Sequence, residues 1–363
     1  MAHLKKKLIL LAVSAVSACA AVFAVNWYLG KYFLTSTRIV SCATKLSPGL
    51  GFSKPDCRGV IYNPDYGHIP YQTNSLGMRD KKYDESVYSK GRSSVKILVT
   101  GDSFTFGAGV KDDEVFHSLA EDRTPDIVYL NGGLGGFGIT EEEKIIDYLL
   151  PKTNPDMVMV VFLANDLIDL KVGKRGSASA MGRFSLMGNV ATVVRDYLMP
   201  QKLLLLARGM LSDEWSDIYK IALGKKVEKR YRLYVKTLLR INSGLAAGDP
   251  PVPVALLMIP QVEQVNGFLS SRKELSSSAP FDHIRKMVKG SGIVVLDSLP
   301  HFLRQKSPGK LYYPRDRHLV PEGHRVLADY LGQKTAELKA VIESRRKAIG
   351  ASTRPGSRMG EKI

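Results

Sequence analysis

Between about residue 95 and residue 300 the chain alternates two hydrophobic patterns. Short apolar runs, rich in β-branched residues and bounded by Gly, Pro or Asn, occupy Val95–Thr100, 126–130, 156–163, 252–259 and 292–296. Runs of this length without polar alternation suit strands buried on both faces of a parallel sheet. Between and after them, apolar residues recur at helical spacing. The segment 140–150 opens with Thr140 as a candidate cap and with Glu141, Glu142 and Glu143 in its first turn. Acidic groups there interact favourably with the helix dipole. A further helix is predicted from Pro321, with Leu327, Leu331, Leu338 and Ile342 along one side. Strands alternating with helices predict an α/β fold whose parallel sheet is covered on both faces.

Three stretches fall outside this alternation. Residues 31–90 are rich in Tyr, Pro, Gly and Asn without a sustained period and read as a linker and irregular lead-in. Residues 167–250 carry Leu203–Leu206 and Val235, Leu238 and Leu239 among many basic residues. This reads as a helical insertion that packs on the core, caps the site or lies on a membrane surface. The catalytic-type domain then spans 91–343, and the basic, Gly/Ser/Pro-containing tail 344–363 is expected to lack structure.

At the N-terminus, Lys5, Lys6 and Lys7 precede an apolar run over 8–25, followed by Trp27 and Tyr28. The run is just long enough to span a bilayer, and the aromatic pair suits the membrane interface. Residues 1–30 therefore read as a signal anchor with its lysines in the cytoplasm, residues 8–28 in contact with the membrane and the rest of the chain exported. A cleaved signal peptide, or lipid attachment at Cys19 after Val16-Ser17-Ala18, are the competing readings.

Lys and Arg number 52 against 35 Asp and Glu in 363 residues, a formal net charge of +17. No zinc-ligand spacing or RNA-binding signature accompanies it, so the charge suits an acidic polymer or anionic lipid rather than nucleic acid. Three cysteines without a C-x-x-C exclude a disulfide scaffold and a zinc ribbon. Cys42 and Cys57 flank a Pro- and Gly-containing stretch just beyond the proposed anchor, where an oxidising environment favours a bridge between them.

Candidate chemistry sits where the strands end. Gly101-Asp102-Ser103-Phe104 follows the first run, a turn that can present a serine hydroxyl and aim its own N–H at a developing oxyanion. Asn131–Gly138 reads NGGLGGFG after the second. Within it Gly133, Gly135 and Gly138 fit a dinucleotide fingerprint, but the acidic residue that should close the next strand is Asp156, which opens it. No cofactor is therefore expected. Asn165 follows the third run and can donate its amide to an oxyanion. Asp316-Arg317-His318 precedes the last helix, placing an acid beside a base. A metal set of Asp316, His318 and His324 lacks a clear further ligand, and no metal is expected. Taken singly, each of these residues could serve an ordinary turn or cap. Together they supply nucleophile, base, orienting acid and oxyanion donors at one sheet edge, where open parallel sheets bind ligands.

These residues resemble the SGNH hydrolases, the GDSL-type esterases and lipases. Ser103 in Gly101–Gly107 looks like the first block, with Phe104 where Leu often stands, and Gly136 matches the second-block glycine. Asn165 matches the third-block asparagine, with Ala164 departing from the common glycine, and Asp316-x-His318 with Pro321–His324 resembles the fifth block. Asn74–Asp80 resembles a lead-in of exported bacterial members. The resemblance implies a three-layer α/β/α sandwich with a flavodoxin-like sheet. It also implies hydrolysis or transfer of acyl groups on lipids, glycans or small esters. Ser103, His318 and Asp316 would be catalytic, and Ser103 N–H, Gly136 N–H and Asn165 would form the oxyanion hole. Export points to an acetylated cell-surface glycan. A lysophospholipase-type lipid esterase and a non-catalytic glycan-binding assembly protein are the alternatives.

Overall fold

The computed structural model describes residues 38–40, 42–47, 50–80, 94–170, 216–267, 269 and 273–352, with scattered helical positions between 14 and 25. Among the described residues no helix is long and apolar enough to cross a membrane. Most of the run 8–25, the stretch 171–215 with Leu203–Leu206, and the tail beyond 352 lie outside them.

Residues 38–72 form short antiparallel strands where an irregular lead-in was expected. Strands β1 (Arg38–Val40), β4 (Arg58–Asn63) and β5 (Gly67–Gln72) form one sheet in the order β1-β4-β5, and β2 (Ala43–Ser47) pairs with β3 (Leu50–Ser53). The alternation that marks such strands is masked here by Gly59, Pro64, Pro70 and closely spaced tyrosines. Burial in β4 nevertheless alternates along its length, as a one-sided strand requires. Cys42 and Cys57 are bridged, with Cα atoms 5.7 Å apart, as the sequence led us to expect.

Five parallel strands follow: β6 (Val95–Thr100), β7 (Ile127–Asn131), β8 (Met157–Phe162), β9 (Val254–Met258) and β10 (Val294–Asp297). Their order, β10-β9-β8-β6-β7, is the flavodoxin-like arrangement with a switch point between β6 and β8. Every residue of β7, β8 and β9 is buried, which explains why these runs carry no polar alternation.

Helices cover both faces. Among the described residues they are, in chain order, α1 (Ser103–Phe106), α2 (Phe116–Arg123), α3 (Ile139–Thr153), α4 (Asp166–Asp169), α5 (Lys225–Ala246), α6 (Val262–Val265), α7 (Ala279–Met287), α8 (Leu299–Leu303) and α9 (Pro321–Ser352). Helix α9 packs with α2 and α8 on one side, and α5 packs with α3 and α7 on the other. The architecture is the expected three-layer α/β/α sandwich.

Three boundaries need correction. The part of the supposed 167–250 insertion that forms α5 is a layer helix of the sandwich, burying Val227, Tyr231, Tyr234, Leu238 and Leu245 on the core side. Its many basic residues occupy only the outer face, which is what made it read as an addition. Helix α9 runs to Ser352 rather than ending near 344, with Arg346 paired to Asp156 at 2.5 Å. Helix α3 begins one residue before Thr140, capped at Gly138, whose N–H donates to the Glu141 carboxylate at 3.4 Å. Glu142 is not on a solvated first turn; it is fully buried.

Candidate active site

The four loops expected to carry chemistry leave the carboxyl ends of β6, β7 and β8 and enter α9. Asp102 shapes the first. One carboxylate oxygen accepts from Phe104 N–H at 2.9 Å, capping α1, and the other accepts from Asn165 Nδ2 at 3.3 Å. Ser103 is thereby held at the first position of α1, where a backbone N–H has no intrahelical partner. Arg79, buried, clamps the far end of α1 by donating to the carbonyls of Phe106, Gly107 and Val110 at 3.1, 2.6 and 2.6 Å.

The glycine run packs against this turn. A Cβ on Gly133 would lie 2.6 Å from Thr105 Cβ and 2.7 Å from Phe106 N, so only glycine permits the approach. Asn131 fixes the loop by accepting from Gly133 N–H at 2.9 Å and donating to Arg79 O at 3.0 Å. Gly136 has φ +81°, the left-handed region glycine adopts freely, at an exposed turn closed by Phe137 N–H to Leu134 O. It does not line the cavity described below.

The candidate base and its acid sit on the loop before α9. Tyr313 N–H donates to His318 O and Arg317 N–H to Tyr313 O, with Arg317 at φ +69°, which folds the loop back and turns His318 toward β6. His318 Nδ1 is 2.5 Å from Asp316 Oδ2, and its Nε2 is 2.7 Å from Ser103 Oγ. The imidazole also packs on the Phe104 ring, with centroids 5.0 Å apart. Burial alone would depress its pKa. The Asp316 charge and hydrogen bond, with the Asp102 charge, outweigh it and leave the imidazole above its ordinary value.

Ser103, Asn165, Asp316 and His318 all line one cavity of about 340 Å³. Phe104, Ile168 and Val262 supply apolar wall; Gln261, Glu263 and Arg317 supply polar wall. Glu263 and Arg317 form a largely buried ion pair. His324 is not part of this site. It is buried, its Nδ1 accepts from Phe116 N–H at 3.2 Å, and burial holds its pKa well below the ordinary imidazole value. The metal grouping of Asp316, His318 and His324 is therefore not assembled.

Four contributors were given no site role by the sequence, although Arg79 lay within the Asn74–Asp80 motif. Gln261 donates to Asn165 Oδ1 at 2.9 Å and accepts from Tyr219 O–H at 3.0 Å, which leaves the Asn165 amide nitrogen directed to the Asp102 side. Asn63 donates to Asp316 Oδ1 at 2.7 Å. Asp65 accepts from the backbone N–H groups of Arg315 and Asp316, both at 2.8 Å. Arg79 is the fourth. Asn63 and Asp65 lay in a stretch read only as an irregular lead-in, and nothing local announces a partner some 250 positions away.

Fold and site together define a class: a flavodoxin-like α/β/α sandwich with a hydrogen-bonded Ser-His-Asp array at the carboxyl edge of its sheet. No protein-family model and no curated protein matches the chain. Among solved structures it is similar to LAE5, an α/β hydrolase enzyme from the metagenome of Lake Arreo, at 16% identity and TM-score 0.41, covering 69% of this chain and 98% of that one. It is similar to TesA at 13% identity and TM-score 0.41, covering 68% and 99%. A member of the lipolytic protein G-D-S-L family from Veillonella parvula aligns at 12% identity and TM-score 0.40, covering 65% and 96%. Likeness at this level carries no information about substrate.

Proposed function

We propose that the chain is a serine ester hydrolase of SGNH type, acting on short acyl groups. The observation that carries this is the continuous array Asp316–His318–Ser103, with links of 2.5 and 2.7 Å, facing a cavity that Asn165 also lines. His318 Nε2 takes the Ser103 hydroxyl proton as Oγ attacks the ester carbonyl. Asp316 stays ionised and stabilises the imidazolium. Ser103 N–H and the Asn165 amide receive the oxyanion; Gly136 N–H, the third donor its motif position implies, sits on an exposed turn outside the cavity lining and would have to turn inward to join them. The imidazolium returns its proton to the departing alkoxide, and water or an acceptor hydroxyl then releases the acyl group from Oγ. Because the base works unprotonated and its pKa is raised, kcat/KM rises with pH through a limb above 6.5.

The polar Glu263–Arg317 wall favours an acetyl ester on a hydroxylated acceptor over a long acyl chain. The net charge of +17 suits an acidic glycan. Anchoring in the envelope rests on the Lys5–Lys7 and 8–25 pattern, supported by the Cys42–Cys57 bridge, which belongs to an oxidising compartment. A fluorophosphonate probe tests the enzyme reading: the intact protein labels and Ser103→Ala does not. Folded wild type that stays unlabelled is instead a binding module. Turnover of long-chain but not acetyl esters would convert the assignment to a lipid esterase.

A further inference from the structure

The β appendage formed by residues 38–80 reaches both catalytic elements. Its Tyr71 packs edge-on against Phe106 at the end of the nucleophile helix, with centroids 5.3 Å apart. At the base loop its contacts converge on Asp316. We propose that this appendage is a working part of the active site and that Asn63 is a positioning residue, fixing Asp316 and through it His318 against Ser103; the proposal rests on the esterase reading above.

The geometry leaves Asp316 little freedom. Its Oδ2 faces the imidazole, so orientation of the carboxylate plane depends on what holds Oδ1. An aspartate's terminal torsion is broad and does not fix that plane by itself. Asn63 Nδ2 sits on Oδ1 at 2.7 Å. The amide is itself oriented, because Asn63 Oδ1 accepts from Asp65 N–H at 2.9 Å and only the nitrogen end is left for Asp316. Asp65, whose side chain is 1% exposed, then grips the backbone N–H groups of Arg315 and Asp316. Side chain and main chain of the same residue are thus held from one turn between β4 and β5.

The chemistry of the holding group matters as much as its place. A lysine or arginine here would form an ion pair and compete with the imidazolium for the carboxylate's charge. A neutral amide donor stabilises the carboxylate and leaves its charge for His318. A carboxylate at 63 would oppose it.

The test uses the full chain with Asn63→Ala and Asn63→Asp, both confirmed folded by circular dichroism. With a small aryl acetate, Asn63→Ala is expected to lower kcat about ten- to a hundredfold, the range for losing a hydrogen bond to a charged group, with KM changed less than twofold. Its kcat/KM limb should move to lower pH, because a carboxylate free to rotate holds the imidazolium less well. Asn63→Asp should lose more. In parallel, the His318 ring is titrated by NMR in a Ser103→Ala background, which needs no turnover. A lower His318 pKa in the Asn63→Ala version supports the positioning role even if the wild type proves inert, in which case only the esterase reading falls. An active wild type whose Asn63→Ala variant keeps its kcat, its limb and its His318 titration overturns the proposal.

Discussion

Among the described residues two hydrophobic cores stand out, and they are built on different terms. The larger threads five parallel strands between two helical layers, and its central strands are buried along their whole length. Each such Val, Leu, Ile or Met contributes roughly 1.5–3 kcal/mol, enough to sustain the fold without cross-links. The smaller consists of Cys42, Ile61, Tyr71 and Phe106, flanked by Cys57, Tyr66 and Leu134. It is too small to stand alone, as small scaffolds generally are without a covalent staple. It borrows Phe106 from the nucleophile helix and Leu134 from the glycine-rich loop, and it is closed by a disulfide. The large core therefore places the reacting groups. The small one can form only against them, and so it is well placed to steady them.

The largest effects should fall on chemistry carried by the large core. Asn165→Ala is expected to cut turnover by about a hundred- to a thousandfold, the usual cost of one oxyanion donor. His318→Ala removes the base and should cost at least as much. Both side chains line the cavity and neither belongs to the hydrophobic core, so melting temperatures should fall far less than activity. Near-normal ester turnover in both variants would end the proposed mechanism. Early melting would mean that site and core are not separable in the way described.

Next in size is the staple. Cys42 and Cys57 are separated by 15 positions, a closure worth about 3 kcal/mol in the chain-entropy model. Replacing both with serine should loosen residues 38–80 while β6 to β9 keep their protection, read as hydrogen exchange that accelerates only in the appendage. Ester turnover should fall with it, in the same direction as Asn63→Ala. Uniform acceleration through the parallel strands would show one cooperative unit and dissolve the distinction between the two cores.

The two regions were unequally legible for the same physical reason. Buried parallel strands must be continuously apolar, so β7, β8 and β9 appear in the sequence as runs, and β6 and the less buried β10 are also apolar enough to show, all five within about two residues of their observed ends. Ser103, Asn165, Asp316 and His318 were legible because each follows a predicted strand or precedes a predicted helix. In the appendage the strands are short and half-exposed, interrupted by Pro70 and Gly59, and stabilised by a disulfide and by contacts to distant loops. Nothing in a local pattern records such contacts. Gln261 was hidden likewise: its value lies in facing Asn165, 96 positions away.

Glu142 extends this contrast inside the large core. In the sequence it is the middle of three glutamates read as first-turn charges favourable to the helix dipole, yet α3 turns it beneath the nucleophile loop, fully buried. Thr100 Oγ1 donates to one carboxyl oxygen at 3.2 Å, while the other has no partner. Burial first, and the nearby Asp102 charge second, push its pKa up to about 8 from 4.5. Between those two values the unfolded chain has released the proton and the folded chain still holds it. Stability attributable to this group is therefore greatest at acid pH and declines as pH rises through that window, by at most about 1.4 kcal/mol per pH unit. Glu142→Gln stays neutral and keeps an oxygen for Thr100. Its stability relative to wild type should climb from pH 5 to pH 8, by on the order of 1 kcal/mol per unit. Urea unfolding at intervals across that range checks it: curves that diverge toward alkaline pH support a protonated carboxyl beneath Ser103, and parallel curves would remove it.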